Sequence, residues 1–478
     1  MRLLRFSLIC GLVAVTSILP TRVCAGPLAI DQVQVLDSVA GVVIPNRCVR
    51  IEAGLIIRIE QAGSSPCTER AEVFDAANGY LIPGLIDMHA HLTLGPLEIV
   101  RERGKATMQA RADDQIAAHN GRRLVAFGVT TVRSPGGELD AAARYESRLQ
   151  SGELTGPQSF HAGEVINNAA IAGLAVSVDD AVGMQQLVAA QVGAGADWIK
   201  LYTGLNPELL QAGIDAAHAH GLPAVAHLDQ IAWPDALAMG LDGLVHLMPL
   251  SPDLLSDAER AAWQADSRPG AYAFFEWWEH FDPDGPSADQ LVAAFDQYRP
   301  VFDATLVAFH AAFVEDQESS PYKFDAAQLA HPRLLANWTE WFTFAAGWQA
   351  EDFVRARAIW PKVERMAQRL YASKARMTIG TDMSNPWIAP GISFHREMAL
   401  LAQAKVPNER ILRAATATAA EALGAGQRLG QIAVGFEADL VLLENNPLER
   451  IEHTLGIAAV VLDGRWLSAD DLAALKEK

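Results

Sequence analysis

The hydrophobic pattern of this chain changes character twice. Residues 27–83 carry "IDQVQVLD", "CVRIEAGLIIRIEQAG" and "EVFDAANGYLIPG", apolar runs of strand length bounded by turn residues. The same texture returns near the far end in "GQIAVGFEADLVLLENNP" and "IAAVVLDGRWL". Between these two regions, strand-length apolar runs alternate with stretches of helical spacing, the pattern of βαβ units and a parallel sheet.

Eight candidate strands can be counted in that middle region. They are "YLIPGLIDMHAHL", "GVTTVRS", "SFHAGEVI", "DWIKLYT", "PAVAHL", "GLVHLM", "VFDATLVAFH" and "RMTIGTDMS". Eight is the count of an α/β (β/α)8 TIM barrel, predicted here over 84–425. That span exceeds the roughly 250 residues typical of the fold. Helical insertions are therefore expected at about 251–300 and 311–375. Trp277, Trp278, Trp338, Trp341 and Trp348 fall within them, either as a lid or pocket wall over the barrel mouth or as plain helix packing.

Histidines then separate by the element that carries them. His89 and His91 close the first candidate strand, where residues two apart share a face. The same His-Ala-His triplet recurs at His218 and His220, inside "PELLQAGIDAAHAHG". That stretch has helical spacing and stops at Gly221. Two positions apart on a helix is a rotation of about 200°, so this second pair cannot hold one small ion.

Other strands end in chemistry as well. Lys200 lies in "DWIKLYT", His227 ends "PAVAHL", His246 ends "DGLVHL" and Asp382 ends "RMTIGTD". Singly, each has an ordinary explanation: a snorkelling lysine, two satisfied core histidines and a turn aspartate. Together with His89 and His91 they are six metal-competent groups at the trailing ends of strands one, four, five, six and eight. Barrel enzymes place their chemistry at that end, and imidazole with carboxylate suits zinc or a similar divalent ion. Tyr202, two beyond Lys200, shares its strand face and is a candidate donor to a developing oxyanion, or a packed tyrosine. Arg133 and His310, placed at the ends of strands two and seven, are candidate substrate contacts, Arg133 as a carboxylate clamp.

Composition narrows the setting. Half of the 478 residues are apolar, 20% are charged and the formal charge is −19. No basic run is present, which argues against nucleic acid as a partner and leaves a small-molecule substrate, with homo-oligomerisation open. Residues 1–25 read as a secretory signal, with an uncleaved anchor as the alternative: Arg2 and Arg5, the apolar "FSLICGLVAVTSILP", then the small-residue site "VCA". Cleavage there removes three arginines and no acid, and implies a periplasmic or secreted chain without a membrane anchor. Only Cys48 and Cys67 then remain, as one disulfide worth about 3 kcal/mol if unstrained, or as two free thiols.

These motifs resemble those of the amidohydrolase superfamily. "LIPGLIDMHAHL" resembles its strand-one metal motif and "GADWIKLY" its strand-four lysine motif. "VAHL", "DGLVHL" and "IGTD" are similar to the motifs of strands five, six and eight. "HREMALLAQAKVPNERILRAATATAAEALG" and "GQIAVGFEADLVLLENNPL" are similar to the C-terminal passage of the imidazolonepropionase- and prolidase-like group. The stretch "GEVINNAAIAG" after strand three and Ser134 after strand two depart from the related peptidases, so substrate-facing positions differ while metal positions hold.

The resemblance implies a small β-sandwich domain built from 26–83 and 426–478, and a site for two divalent ions, with zinc the expected metal. His89, His91 and Asp382 would hold the more buried ion, His227 and His246 the more exposed one, and an N-carboxylated Lys200 would bridge them. The expected activity is hydrolysis of an amide-like C–N bond, in a dipeptide or N-acyl amino acid, by a metal-bridging hydroxide with Asp382 as general acid and base. A mononuclear deaminase or cyclic-amide or lactone hydrolase, and a non-catalytic binding protein on a degenerate barrel, are the alternatives.

Overall fold

In the computed structural model, residues 26–102, 105–248 and 250–477 are described. The signal segment expected at 1–25 lies outside them. Strands from both chain ends build one eight-stranded sheet. Tyr80–Pro83 stitches it together, pairing in parallel with Leu28–Asp37 on one side and antiparallel with Leu440–Leu443 on the other. The expected sandwich is thus represented by a single continuous sheet. Leu28, Ile30, Val49, Leu81, Leu440 and Val461 form its apolar core.

Cys48 and Cys67 are joined by a disulfide with Cα atoms 6.3 Å apart, closing a loop of sequence separation 19. By loop entropy such a link contributes about 3 kcal/mol.

The inner strands run parallel and are short, because only the buried stretch of each run pairs. Leu85–Asp87, Val129–Ser134 and Gln158–His161 form a three-stranded sheet. Val165–Asn167, Ile199–Leu201, Ala224–Ala226, Gly243–Val245, Val301–Asp303 and Arg376–Thr378 follow in order within a seven-stranded one, which Ala175–Ser177 edges. No sheet closes on itself among the described residues. The third candidate strand is interrupted between His161 and Val165, where Gly163 takes a φ of +74°. Strands one and eight meet through the Met88 N–H donating to the Ile379 carbonyl at 2.8 Å and a parallel bridge between Ala90 and Met383.

Both insertions are helical. Asp257–Asp266, Ala273–His280 and Pro286–Tyr298 occupy the first; Pro321–Leu329, Pro332–Glu340 and Ala350–Tyr371 occupy the second. Trp277, Trp278, Trp338 and Trp348 are buried between helices, whereas Trp341 is 41% exposed. Packing therefore accounts for four of the five tryptophans, each burying a large apolar surface. A hairpin of Glu98–Glu102 and Lys105–Gln109, which no alternation in the sequence announced, precedes the helix Asp114–Ala126.

Candidate metal centre

Five of the six candidate ligands sit where a strand has just ended or is about to. His89 and His91 follow Leu85–Asp87, His227 follows Ala224–Ala226, His246 follows Gly243–Val245 and Asp382 follows Arg376–Thr378. Lys200 is the middle residue of Ile199–Leu201. His246 and Asp382 adopt left-handed backbone, with φ of +64° and +61°. Such a conformation costs on the order of 1–3 kcal/mol for a non-glycine residue and persists only where the surroundings impose it. Gly380 permits the close approach of strands one and eight, since a Cβ there would lie 2.6 Å from that of His89.

The side chains converge. His89 Nε2 is 3.4 Å and His91 Nε2 3.3 Å from the same Asp382 Oδ1. The three residues offer ligand atoms all within 4.8 Å of one another. Ring centroids of His89 and His246, and of His246 and His227, are each 4.5 Å apart. His89, His91, Lys200, His246 and Asp382 are buried, and His227 is half-buried.

Partners on the far side of each ring settle which nitrogen faces inward. His89 Nδ1 donates to Asp303 Oδ1 at 2.8 Å and His91 Nδ1 to the Gly136 carbonyl at 3.0 Å, while His246 Nδ1 meets the Thr305 hydroxyl at 2.7 Å. A neutral imidazole that donates from Nδ1 keeps its lone pair at Nε2. The lone pair of His89 therefore faces a carboxylate oxygen of Asp382, with His91 Nε2 beside that same oxygen, an arrangement suited to a cation lying among them.

Burial, with neighbouring His246 and Lys200 adding to it, holds His89 well below the usual histidine range, and His246 behaves alike through burial, His227 and Lys200. Burial and then Lys200 pull His227 down to about 3. These rings stay uncharged and ready to ligate. Lys200 is brought down to about 7 by burial. Its Nζ and His227 Nδ1 have no hydrogen-bond partner among the described residues. The donor set thus fits divalent metal, and a lysine that is half unprotonated near neutrality fits carboxylation.

Tyr202 follows Lys200, its ring 4.9 Å from that of His227, and burial raises its hydroxyl above the usual range, so it remains a donor. Two expected substrate contacts are already engaged within the protein. Arg133 is wholly buried, its Nη2 donating to Asp303 Oδ2 at 2.8 Å and its Nε to the Met88 carbonyl at 2.7 Å, with Trp198 against its face. It braces strands one, two and seven through Nε and Nη2, while its Nη1 has no hydrogen-bond partner among the described residues. His310 is not at the end of strand seven: that strand stops at Asp303, and Thr305 at φ +46° starts the helix Leu306–Phe313 that carries it. Its Nδ1 is engaged by the Tyr322 hydroxyl at 2.7 Å.

Three carboxylates were overlooked in the sequence. Asp303 links His89 to Arg133, and burial lifts it to about 6 against the pull of Arg133. Asp87, lifted by burial to about 7, receives the N–H of His89 and the hydroxyl of Thr381. Glu397 accepts from the Val307 N–H at 2.7 Å at the start of the helix Leu306–Phe313. An acid closing the apolar run "VFD" was the available signal for Asp303. Nothing local distinguished the other two.

A buried imidazole and carboxylate cluster at the trailing ends of parallel strands is the layout of a metallohydrolase. Sequence models described as "Amidohydrolase family" match residues 72–197 and 310–467. The first range holds His89 and His91 and the second Asp382, whereas Lys200, His227 and His246 fall between them. An uncharacterized protein of Mycobacterium tuberculosis is 28% identical over 212 residues, 40% of this chain and 51% of that one. The chain therefore spans about half the length of that relative. Imidazolonepropionase of Bacillus cereus is 23% identical over 447 residues, 87% of either chain. A Xaa-Pro dipeptidase crystallised with methionine in its active site superposes with a TM-score of 0.66 at 18% identity, covering 92% of this chain and 100% of that one. Such structural neighbours imply the (β/α)8 barrel fold. The chain belongs to the amidohydrolase superfamily. Within it, the likeness runs to imidazolonepropionase in sequence and to prolidase-like proteins in fold.

Proposed function

We propose that this protein is an exported, binuclear metal-dependent hydrolase that cleaves an amide-like C–N bond in a small molecule. The reading rests on one observation above all: Nε2 of His89 and of His91 converge on one carboxylate oxygen at 3.3–3.4 Å, with Nδ1 of both rings already engaged. His89, His91 and Asp382 would hold one ion, His227 and His246 the second, and Lys200, as its carbamate, would lie between them on a (β/α)8 barrel. Carboxylation joins the unprotonated Nζ to carbon dioxide and releases one proton. It turns an unpartnered amine into a two-oxygen anion, which supports the assignment because a bare ammonium only donates. Zinc is the ion to which this donor set is best suited. Bound there, divalent ions supply an acidified water and a Lewis acid for a carbonyl oxygen.

The remaining steps belong to the chain. Asp382, at the centre of the cluster, takes a proton from the attacking water at its carboxylate and delivers it to the leaving nitrogen. Tyr202 donates its hydroxyl hydrogen to the oxygen on which charge develops. Asp303 fixes the ring of His89 and keeps its inward nitrogen unprotonated. The disulfide between Cys48 and Cys67 supports an oxidising compartment, in keeping with the export signal expected at the N-terminus.

A mononuclear reading draws on the compactness of the His89, His91 and Asp382 triad, which is the size of one ion's cage. Metal analysis of the purified mature protein, with an amine-release screen over dipeptides and N-acyl amino acids, separates the two. Near two ions per chain, falling together with activity in Lys200→Ala, is expected. One ion and an unchanged rate in that variant would establish the mononuclear form, and full activity in Asp382→Asn would overturn the mechanism.

A further inference from the structure

A line of aromatic rings leads from the metal centre to the surface. It begins at His246, whose ring lies 6.0 Å from Phe309 in an edge-to-face contact. Phe309 meets Phe274 at 5.2 Å, Phe274 meets Phe344 at 5.8 Å, Phe344 meets Phe342 at 6.2 Å, and Phe342 meets Trp341 at 5.8 Å. Exposure grows outward along it: Phe309 is 3% exposed and Trp341 41%, while Phe274, Phe342 and Phe344 are half-buried.

The far end of this line borders the segments that follow strands one and eight. Phe342 lines a cavity of about 50 Å³ with Leu94, Leu97, Trp338, Ser384 and Asn385. Leu94 lies three residues past His91, and Asn385 three past Asp382. The rings therefore run from His246 to a cavity walled in part by residues that follow His91 and Asp382 closely in sequence. They come from both insertions, with Phe274 on Ala273–His280 and Phe342 and Phe344 in the segment after Pro332–Glu340. That segment is pinned by the Thr343 hydroxyl donating to Glu315 at 2.6 Å. Half-exposed rings in a row are unfavourable in water and mark a surface awaiting an apolar guest. The guanidinium of Arg133, at the end of strand two, is wholly buried and pairs with Asp303, so its charge is met within the protein.

We propose that the substrate of this site carries a bulky aromatic or comparably apolar group, and that Phe274, Phe344, Phe342 and Trp341 are the residues that receive it. The inference rests on the metallohydrolase reading for the position of the scissile bond, but the apolar guest can be measured without turnover. Primary sulfonamides keep one metal-seeking head group while their tail grows from methane to butane, benzene and naphthalene, and amidohydrolysis does not consume them. Calorimetric titration of the purified mature protein should show affinity rising about tenfold to a hundredfold from the methane to the naphthalene compound.

Phe274→Ala and Phe344→Ala should each flatten that rise, while Phe274→Tyr, which restores a ring, should keep it. Trp341→Phe, a change at an exposed position, should weaken quenching of tryptophan fluorescence by the naphthyl tail, and this keeps the test open if the alanine variants fold poorly. Equal affinities across the wild-type series would overturn the proposal. So would a full rise persisting in both folded alanine variants, or quenching unaltered by Trp341→Phe. Failure of the metallohydrolase reading has a separate signature, namely no divalent ion in the purified protein.

Discussion

The chain contains His-Ala-His twice, and the two copies have opposite surroundings. His89 and His91 stand at the end of a parallel strand, buried, with Asp303 and the Gly136 carbonyl behind them and Asp382 in front. His218 and His220 close the helix Pro207–Ala219, which Asn206 caps and Pro207 opens, and His218 reaches Asp242 at the surface. Identical triplets thus acquire different chemistry from the period of the element beneath them. Strand alternation puts two rings on one face, and helical rotation separates them. What suits the first pair to ligate is equally the set of groups behind the rings, and that set gives the comparison its tests.

The largest contrast is in metal content and rate. His89→Asn or His91→Asn should remove metal and lower kcat/KM on the order of a thousandfold or more. His218→Ala and His220→Ala together should leave both within about twofold, since they touch no reacting group. Inductively coupled plasma analysis beside steady-state rates reads both, and metal loss in the helix double variant would break the distinction.

Next comes the support behind the ring. Asp303→Asn keeps the shape but replaces an acceptor with a group that also donates, so the inward nitrogen of His89 is no longer reliably free. A loss of about 10–100-fold in metal affinity is expected. Asp242→Asn, the same change behind His218, should leave metal affinity untouched. Chelator competition on both variants measures the difference.

These two tests also show where the sequence was legible. Strand ends are readable, because an apolar run that stops at His, Lys or Asp marks both the element and the inward position; hence all six candidate ligands come together. Asp303 ends such a run too, but the sequence reading carried the strand through "ATLVAFH" to His310, and the left-handed turn at Thr305 has no glycine to announce it. Arg133 is legible only in part, for a related reason. Its strand position is evident, but the buried acid that neutralises it lies 170 residues away. Partners supplied by remote segments, Glu397 above all, leave no local pattern. The line of rings likewise arises from segments that meet only in the fold.

Glu397 supplies the third test, in pH. Buried, with Oε1 lacking a partner among the described residues, it is lifted to about 8 by burial, against the pull of the Val307 and Leu306 N–H groups. The folded protein therefore holds a proton that the unfolded chain gives up near the ordinary value of 4.5. The stabilisation is complete below that value and lost as pH rises through about 8. Glu397→Gln, neutral throughout, should flatten the decline between pH 5 and 8 and raise the melting temperature at pH 8 by about 2 °C relative to wild type. No comparable buried acid faces His218 or His220 among the described residues, so the double variant at those positions should leave the pH profile as it is. An unchanged slope in Glu397→Gln would mean that the acid ionises in place with a compensating cation.

The smallest effect concerns the helix pair itself, which is not idle. His218 Nε2 lies 2.8 Å from Asp242 Oδ2, and that same oxygen accepts the Ala224 N–H at 2.9 Å. The Asp242 N–H in turn donates to the Ala224 carbonyl at 3.1 Å. His218 thereby ties the end of its helix to the start of the strand that finishes at His227, one of the expected ligands. A half-exposed hydrogen bond of this kind contributes about 0.5–1 kcal/mol. His218→Ala should lower the unfolding free energy by that amount with metal affinity unchanged. Asp242→Ala should cost more, because it also strips the acceptor from the Ala224 N–H. If the two variants proved equal in denaturant titration, the histidine would be carrying the whole tie. If His218→Ala weakened metal binding, the second triplet would be acting on the first through the strand between them.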